Sequence, residues 1–376
     1  MVYRPTTPWS WSFLILAFVQ SCVVLACEGY VFATFQNNLI KNNILDLKPK
    51  NDTIAAYSEV EFQKAQTRTI PTYLTLFIFA HIFLVALCYD ALRLKNTIQV
   101  IGICIFNLAM LIYAAIQMDQ INDANDALSP DKIQDKNLKL METDIWGAIR
   151  PFLITIPCVI ALSTVLMGVV CWKLYDEFAW RIYKHISADL RMKKRYLTFQ
   201  IFIALLKFDF FFFVGFTVQF IVIVASTTGF TKNQSNTIGG KDYEFYVTIA
   251  ALPITIAFLA TAAFFTRREK RGVMWGVVVI LFAALAYFIF KLVRMWTPTY
   301  EETYKPARRS LTTFAVITIL LIILTIINAI ACIMNFDKGL KPHITKRKVT
   351  DEEDKNSMTE MSAHMSQPMQ SRMTID

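Results

Sequence analysis

Apolar residues run along this chain in stretches far longer than one buried face of a soluble helix requires. Eight segments stand out: Trp11–Tyr30, Tyr73–Tyr89, Ile98–Ile116, Trp146–Trp172, Asp209–Phe230, Tyr246–Phe265, Val273–Val293 and Leu311–Met334. Each approaches or exceeds the roughly 20 residues that carry an α-helix across about 30 Å of hydrocarbon. They are apolar all round rather than along a stripe, as befits helices surrounded by lipid or by one another. The second and third are the shortest, and only YDALRLKN separates them, which predicts a helical hairpin. The fold class is therefore all-α: a polytopic transmembrane helix bundle of about eight spans, both termini cytosolic. The organisation that follows is a cytosolic N-tail (1–10) and a transmembrane domain (11–335). The domain carries a luminal loop at 34–70 and a basic cytosolic loop at 173–197, and 336–376 form a disordered cytosolic tail.

One stretch strains this pattern. KFDFFFFVGF, Lys207 to Phe216, sets a lysine and an aspartate two residues apart at the mouth of a phenylalanine run, after a helix-compatible segment free of Pro and Gly from Ile186. If Asp209 begins the fifth span, Lys207 extends its ammonium to lipid phosphates and YLTFQIFIALL packs outside the hydrocarbon. If the span begins near Tyr196, both charges lie deep in the membrane and need separate partners, because positions i and i+2 face different sides of a helix.

Composition agrees with the pattern: 55% of residues are hydrophobic and only 18% charged, which excludes a soluble globular chain. The net charge of +9 is unevenly spread. Lys and Arg concentrate in the short loops on the N-terminal side of the bundle, in Arg93 and Lys95, in 173–197 and in TRREKR, which predicts that side to be cytosolic. Within 173–197, apolar residues from Phe178 to Leu190 recur at helical spacing among basic ones. Lys184, Arg191, Lys193, Lys194 and Arg195 are accordingly expected on the anionic cytosolic leaflet. The N-glycosylation triplets at Asn51 and Asn233 fall in the first and fifth loops, both luminal in this orientation.

Polar residues inside the spans are the candidate chemistry. Gln20, Asn107, Gln219 and Asn328 are expected to hydrogen-bond between helices. Glu28, His81, Lys207 and Asp209 form the candidate intramembrane polar site, since a charge in lipid is costly and marks ligand or ion pathways. Pro157 and Pro253 interrupt spans and can bend helices around such a pathway. No HExxH, GxSxG or GxxxxGK[ST] occurs, and four histidines are too few for a histidine-box metal centre. We therefore expect no catalytic residues, no metal site and no cofactor. The expected partners are membrane lipids, with no nucleic acid, and protein partners through the cytosolic tail. All seven cysteines lie in apolar segments, so no disulfide is expected to staple the outer loops. The first segment also reads as a cleavable signal, with VVLACEG near its end, which would leave a seven-span, receptor-like protein. Its length and the anchors Trp9 and Trp11 favour a retained helix.

The block KLYDEFAWRIYKHISADLRMKKRYLTFQIFIALLKFDFFFFVGFTVQFIVIV, with YDALRLKNTIQVIG and IPTYL upstream, resembles a fungal family of uncharacterised multi-pass membrane proteins of the Golgi apparatus. The resemblance covers about Trp9 to Phe336. It implies residence in Golgi membrane and carries no reaction, substrate or site residue. The function expected is that of an integral protein of the Golgi or secretory pathway acting in transport, lipid interaction or membrane trafficking.

Overall fold

The computed structural model describes residues 5, 7–40, 54–128, 141, 143–185, 190–227, 240–297 and 307–338. It is all-helical apart from turns and a single antiparallel bridge between Leu39 and Met141. The helices are α1 (Pro8–Asn38), α2 (Ile54–Arg93), α3 (Thr97–Leu128), α4 (Trp146–His185), α5 (Leu190–Thr227), α6 (Gly240–Arg267), α7 (Arg271–Met295) and α8 (Arg308–Asn335). All eight contain a stretch long and apolar enough to cross a membrane.

The predicted hairpin is present. α2 ends at Arg93 and α3 begins at Thr97, with Lys95 in the left-handed region at φ 47°. Lys95 N–H donates to Leu92 O and Asn96 N–H to Ala91 O, the paired bonds of a Schellman stop made here without glycine. Asn96 Oδ1 then accepts from the backbone N–H of Ile98 and Gln99 at 3.1 and 3.3 Å, capping α3.

Three expectations change. The stretch 34–70, read as a loop, is helical over 34–38 and 54–70, because its polar residues extend α1 and α2 beyond the apolar runs. The stretch 173–197 is no separate surface helix: α4 continues through His185 and α5 begins at Leu190, and residues 186–189 lie outside the described residues. Most consequentially, no helix begins at Asp209: α5 is continuous from Leu190 to Thr227, and Lys207 and Asp209 fall near the middle of its candidate span, Arg191–Val222, the arrangement that a span beginning near Tyr196 would give.

The helices pack as two groups of four, α1–α4 and α5–α8, which meet where α2 and α3 face α5 and where α8 reaches α3. In α1 the buried positions are Ser10, Phe13, Ala17, Gln20, Ser21, Val24, Cys27, Glu28, Val31 and Phe35. Their recurrence every three or four residues puts them on one face of the helix. Between them Ile15, Phe18, Val19 and Val23 are exposed and suited to lipid. The α2–α3 turn, the start of α5, the α6–α7 turn and the end of α8 share one rim, hereafter the basic rim. The ends of α1, α3 and α7 and the starts of α4 and α8 share the opposite rim. Chain entry at Pro8 and the end of α8 therefore lie on the same side.

The α2–α3 hairpin is set back from the basic rim, whereas α4 of the same group runs on to His185. Arg195 Nη1 donates to Lys338 O just beyond α8, yet the α2–α3 hairpin stops beside Lys207, twelve residues or about 18 Å farther along α5.

Candidate functional site

The interface between the halves is closed at three levels. Nearest the basic rim, Lys207 on α5 pairs with Asp90 Oδ2 at the end of α2 and donates to Gln99 Oε1 on α3 at 2.7 Å. Gln99 Nε2 in turn donates to Asp90 Oδ2 at 2.9 Å and to Leu87 O at 3.1 Å. Lysine, aspartate and glutamine thus each bind the other two, and the lysine bridges the halves.

The middle level is aromatic. Phe211 on α5 packs against Phe83 of α2 and Phe106 of α3, with centroids 5.4 and 5.0 Å apart. Phe208 and Phe212 flank Phe106 at 6.0 and 5.9 Å. The phenylalanine run after Lys207 exists because α5 turns nearly every side chain into a partner: Phe208, Phe211, Phe212, Phe213 and Phe216 are all buried. Two glycines allow the close approach. A Cβ on Gly102 would lie 2.5 Å from Phe208 Cε2, and one on Gly215 would lie 2.6 Å from Phe314 Cε1.

Toward the opposite rim, Ser310 Oγ of α8 donates to Gln219 Oε1 of α5 at 3.1 Å, and Gln219 Nε2 lies 3.4 Å from Tyr113 Oη of α3 as its donor. Gln219 is twelve residues beyond Lys207, so the two polar clusters stand about 18 Å apart along α5, with the phenylalanines between them.

Two carboxylates lie just off this interface. Glu28 of α1 is buried, and both its oxygens accept from Gln117 Nε2 of α3, at 3.0 and 3.2 Å. Asp209 is completely buried on the α8 side of α5: Oδ2 accepts from Thr325 Oγ1 at 2.7 Å, while Oδ1 has no partner among the described residues. Among those residues neither acid forms an ion pair. A buried carboxylate supported only by neutral donors leaves an ionised form poorly compensated, so each is a place for a proton or a cation. Gln117 Oε1 is itself buried without a partner among the described residues.

His81 of α2 is buried with Nδ1 3.0 Å from Phe77 O. That contact needs a proton on Nδ1, which leaves Nε2 an acceptor, unpartnered among the described residues. Its ring rests against Phe77 at 4.8 Å, and its carbonyl accepts from Ser21 Oγ of α1 at 3.2 Å.

Glu28, His81, Lys207 and Asp209 therefore do not converge on one pocket. Lys207 belongs to the interface, and the other three stand beside it at separate points. Gln20 and Asn107 bond each other across α1 and α3 at 2.7 and 3.1 Å. Asn328 Nδ2 donates to Thr198 O, so Gln20, Asn107, Gln219 and Asn328 all hydrogen-bond between helices as expected. Sequence reasoning missed Asp90, Gln99 and Gln117, the partners of the charged candidates. Asp90 and Gln99 sit in and beside the hairpin stretch YDALRLKN, where charge reads as an ordinary turn. It also missed Lys291 of α7, buried with its ammonium 3.9 Å above the Phe220 ring.

On the basic rim, Arg191 and Lys194 are exposed and Lys193 and Arg195 half-buried. Lys184 lies on described helix, but its side chain falls outside the described residues, as do Asn51, Asn233 and the tail beyond Lys338. Among the described residues no three His, Cys, Asp or Glu side chains gather as metal ligands would.

No protein-family model matches the chain, and no solved structure matches it. Among curated proteins, a UPF0658 Golgi apparatus membrane protein of Schizosaccharomyces pombe is 30% identical over 358 residues, covering 91% of this chain and 92% of that protein.

Proposed function

The chain belongs to the UPF0658 family of Golgi apparatus membrane proteins, and from that premise we propose that it is a carrier of that membrane whose two halves move against each other. The cycle is coupled to a proton taken up at Glu28 and Asp209. One observation carries this reading: the interface between α1–α4 and α5–α8 has a polar cluster toward each end, with Lys207 reaching Gln99 at one and Tyr113 meeting Gln219 and Ser310 at the other, and an aromatic layer between. A bundle built only for permanence gains nothing from charges at such a seam, because apolar packing of similar volume is usually as stable. Separable hydrogen-bonded clusters are what a seam needs if it opens at one end while the other stays shut.

In this scheme Lys207 with Asp90 and Gln99 closes the basic-rim side, and Tyr113 with Gln219 and Ser310 closes the other. Parting the halves at Lys207 frees α5 to shift against α8, where Thr325 holds Asp209, and charging or discharging that carboxyl shifts the balance between the two closures. Glu28, held by Gln117 on α3, plays the corresponding part in the first half. The chain's own residues bind, seal and exchange a proton, and the reading includes no enzymatic step.

Proton movement into liposomes reconstituted with the purified protein and loaded with a pH-sensitive dye tests the proposal. We expect an acidification rate above protein-free vesicles that falls at least tenfold in Glu28→Gln and in Asp209→Asn, both folded by thermal and gel-filtration criteria. Equal rates in wild type and both variants would exclude it. The seven-span receptor reading fares worse on physical grounds, since cleavage of α1 would strip Asn107 of Gln20 and Gln117 of Glu28, and would remove the buried Phe13, Val24 and Val31 from the packing of the first half.

A further inference from the structure

The basic rim holds a second constellation, built by three elements far apart in sequence. Arg271, at the first turn of α7, donates from Nη2 to Phe336 O at 2.9 Å and pairs through Nε with Asp337 Oδ2 at 3.0 Å. Glu269, in the α6–α7 turn, accepts from Asp337 N–H at 3.1 Å through Oε2. Arg195, at the start of α5, donates to Lys338 O at 2.7 Å. Three helix ends are thus clasped around residues 336–338. Glu269 and Asp337 both adopt left-handed backbone, at φ 53° and 60°, a conformation that ordinary residues hold only when their surroundings impose it.

The clasp consumes its own acids. Glu269 and Asp337 are both bonded inside it, while Lys194, Arg267, Arg268, Lys270 and Lys338, within two positions of its members along the chain, have exposed side chains. Positive charge gathered on three rigid helix ends is costly in itself and is stabilised by a counter-charge of several negative units. The place suits a lipid: Arg268 lies over the exposed Phe264 ring at 4.4 Å, and exposed Trp275 stands one turn into α7 from Arg271, as aromatic residues do at the headgroup level. Basic recesses between helix ends on one face of a membrane protein are where polyanionic headgroups bind. The arginines supply planar forks and the lysines point charges, a mixture that matches phosphate oxygens.

We infer that this clasp is a binding site for a phospholipid headgroup bearing at least one phosphomonoester, seated between the start of α5, the α6–α7 turn and the residues following α8. The inference stands apart from the carrier reading: it uses neither Glu28 nor Asp209, and its test contains no flux measurement.

The full-length protein is placed in nanodiscs of phosphatidylcholine alone, with phosphatidylserine, or with a phosphatidylinositol monophosphate at matched total charge. Lipid retained on detergent extraction is then counted by native mass spectrometry. We expect selective retention of the phosphoinositide, weakened about ten- to thirty-fold in the double variant Lys194→Gln/Lys270→Gln. That variant leaves the clasp bonds intact, and Arg150→Gln on the opposite rim should retain wild-type binding. Equal retention of phosphatidylserine overturns the inference, as does undiminished binding by the double variant. Equal affinity for soluble inositol phosphate in phosphatidylcholine discs would overturn the assignment to a lipid.

Discussion

At the scale of single residues, the account rests on contacts that substitution can break one at a time. Gly215 lies against Phe314 so closely that an added Cβ has no room. Gly215→Val should lower stability by about 1–3 kcal/mol, seen as a fall in melting temperature of the detergent-solubilised protein. Gly276, in α7 and open to its surroundings, should accept Ala without loss. Equal responses would mean that α5 and α8 are not in contact at that point. Gln117→Leu removes the only donor found for Glu28 among the described residues and should cost about 1–3 kcal/mol; Glu28→Gln, which keeps a hydrogen-bonding pair, should cost much less. A Gln117→Leu protein as stable as wild type would remove Glu28 from the core. These pairings were only half legible in the sequence. Glu28 and Asp209 announced themselves as charges in apolar runs, but Gln117 and Thr325 look like any other polar residue near or within a span, and nothing local pairs residues 89 or 116 positions apart.

At the scale of elements, the hairpin between α2 and α3 is the part the chain specifies most locally. Its short polar turn sits between two apolar runs, and Asn96 supplies the cap. Asn96→Ala should therefore destabilise the protein by about 1 kcal/mol, and because the same turn positions Asp90 and Gln99, it should also loosen Lys207. Protease or hydrogen-exchange protection of residues 87–100 would report both effects, and unchanged protection would detach the turn from the cluster. Helix ends were the least legible feature. Polar residues in 34–70 and 173–197 broke the apolar pattern from which spans are read, yet the helices run on through much of both, since helical hydrogen bonding needs no lipid once a span has nucleated it. The surroundings of Asp209 were hidden for the opposite reason: a charge before an apolar run reads as a helix's entry into lipid, whereas α8 supplies it with a hydroxyl inside the bundle.

At the scale of the whole molecule, eight spans and their all-round apolarity were visible from composition and run length, because the bilayer imposes both. The division into two halves was not. It depends on which face each helix turns inward, and helices apolar on every side conceal that choice. α1 shows the point: large apolar residues stand on both faces, Phe13 and Phe35 inward and Phe18 and Ile15 outward, and only Gln20 and Glu28 single out the buried one. The division matters because the proposed function lies in the seam rather than in any one helix. A seam that opens must let the Lys207 and Gln219 levels part at different times.

The most direct measurement is cysteine cross-linking across the two ends of that seam in functional proteoliposomes, on a protein cleared of its seven native cysteines. One variant carries Gln99→Cys with Lys207→Cys, the other Tyr113→Cys with Ser310→Cys. Each pair should cross-link in part, closing either bridge should stop proton movement, and reduction should restore it. Full proton movement with both bridges closed would show that the halves do not part, and would contradict the carrier.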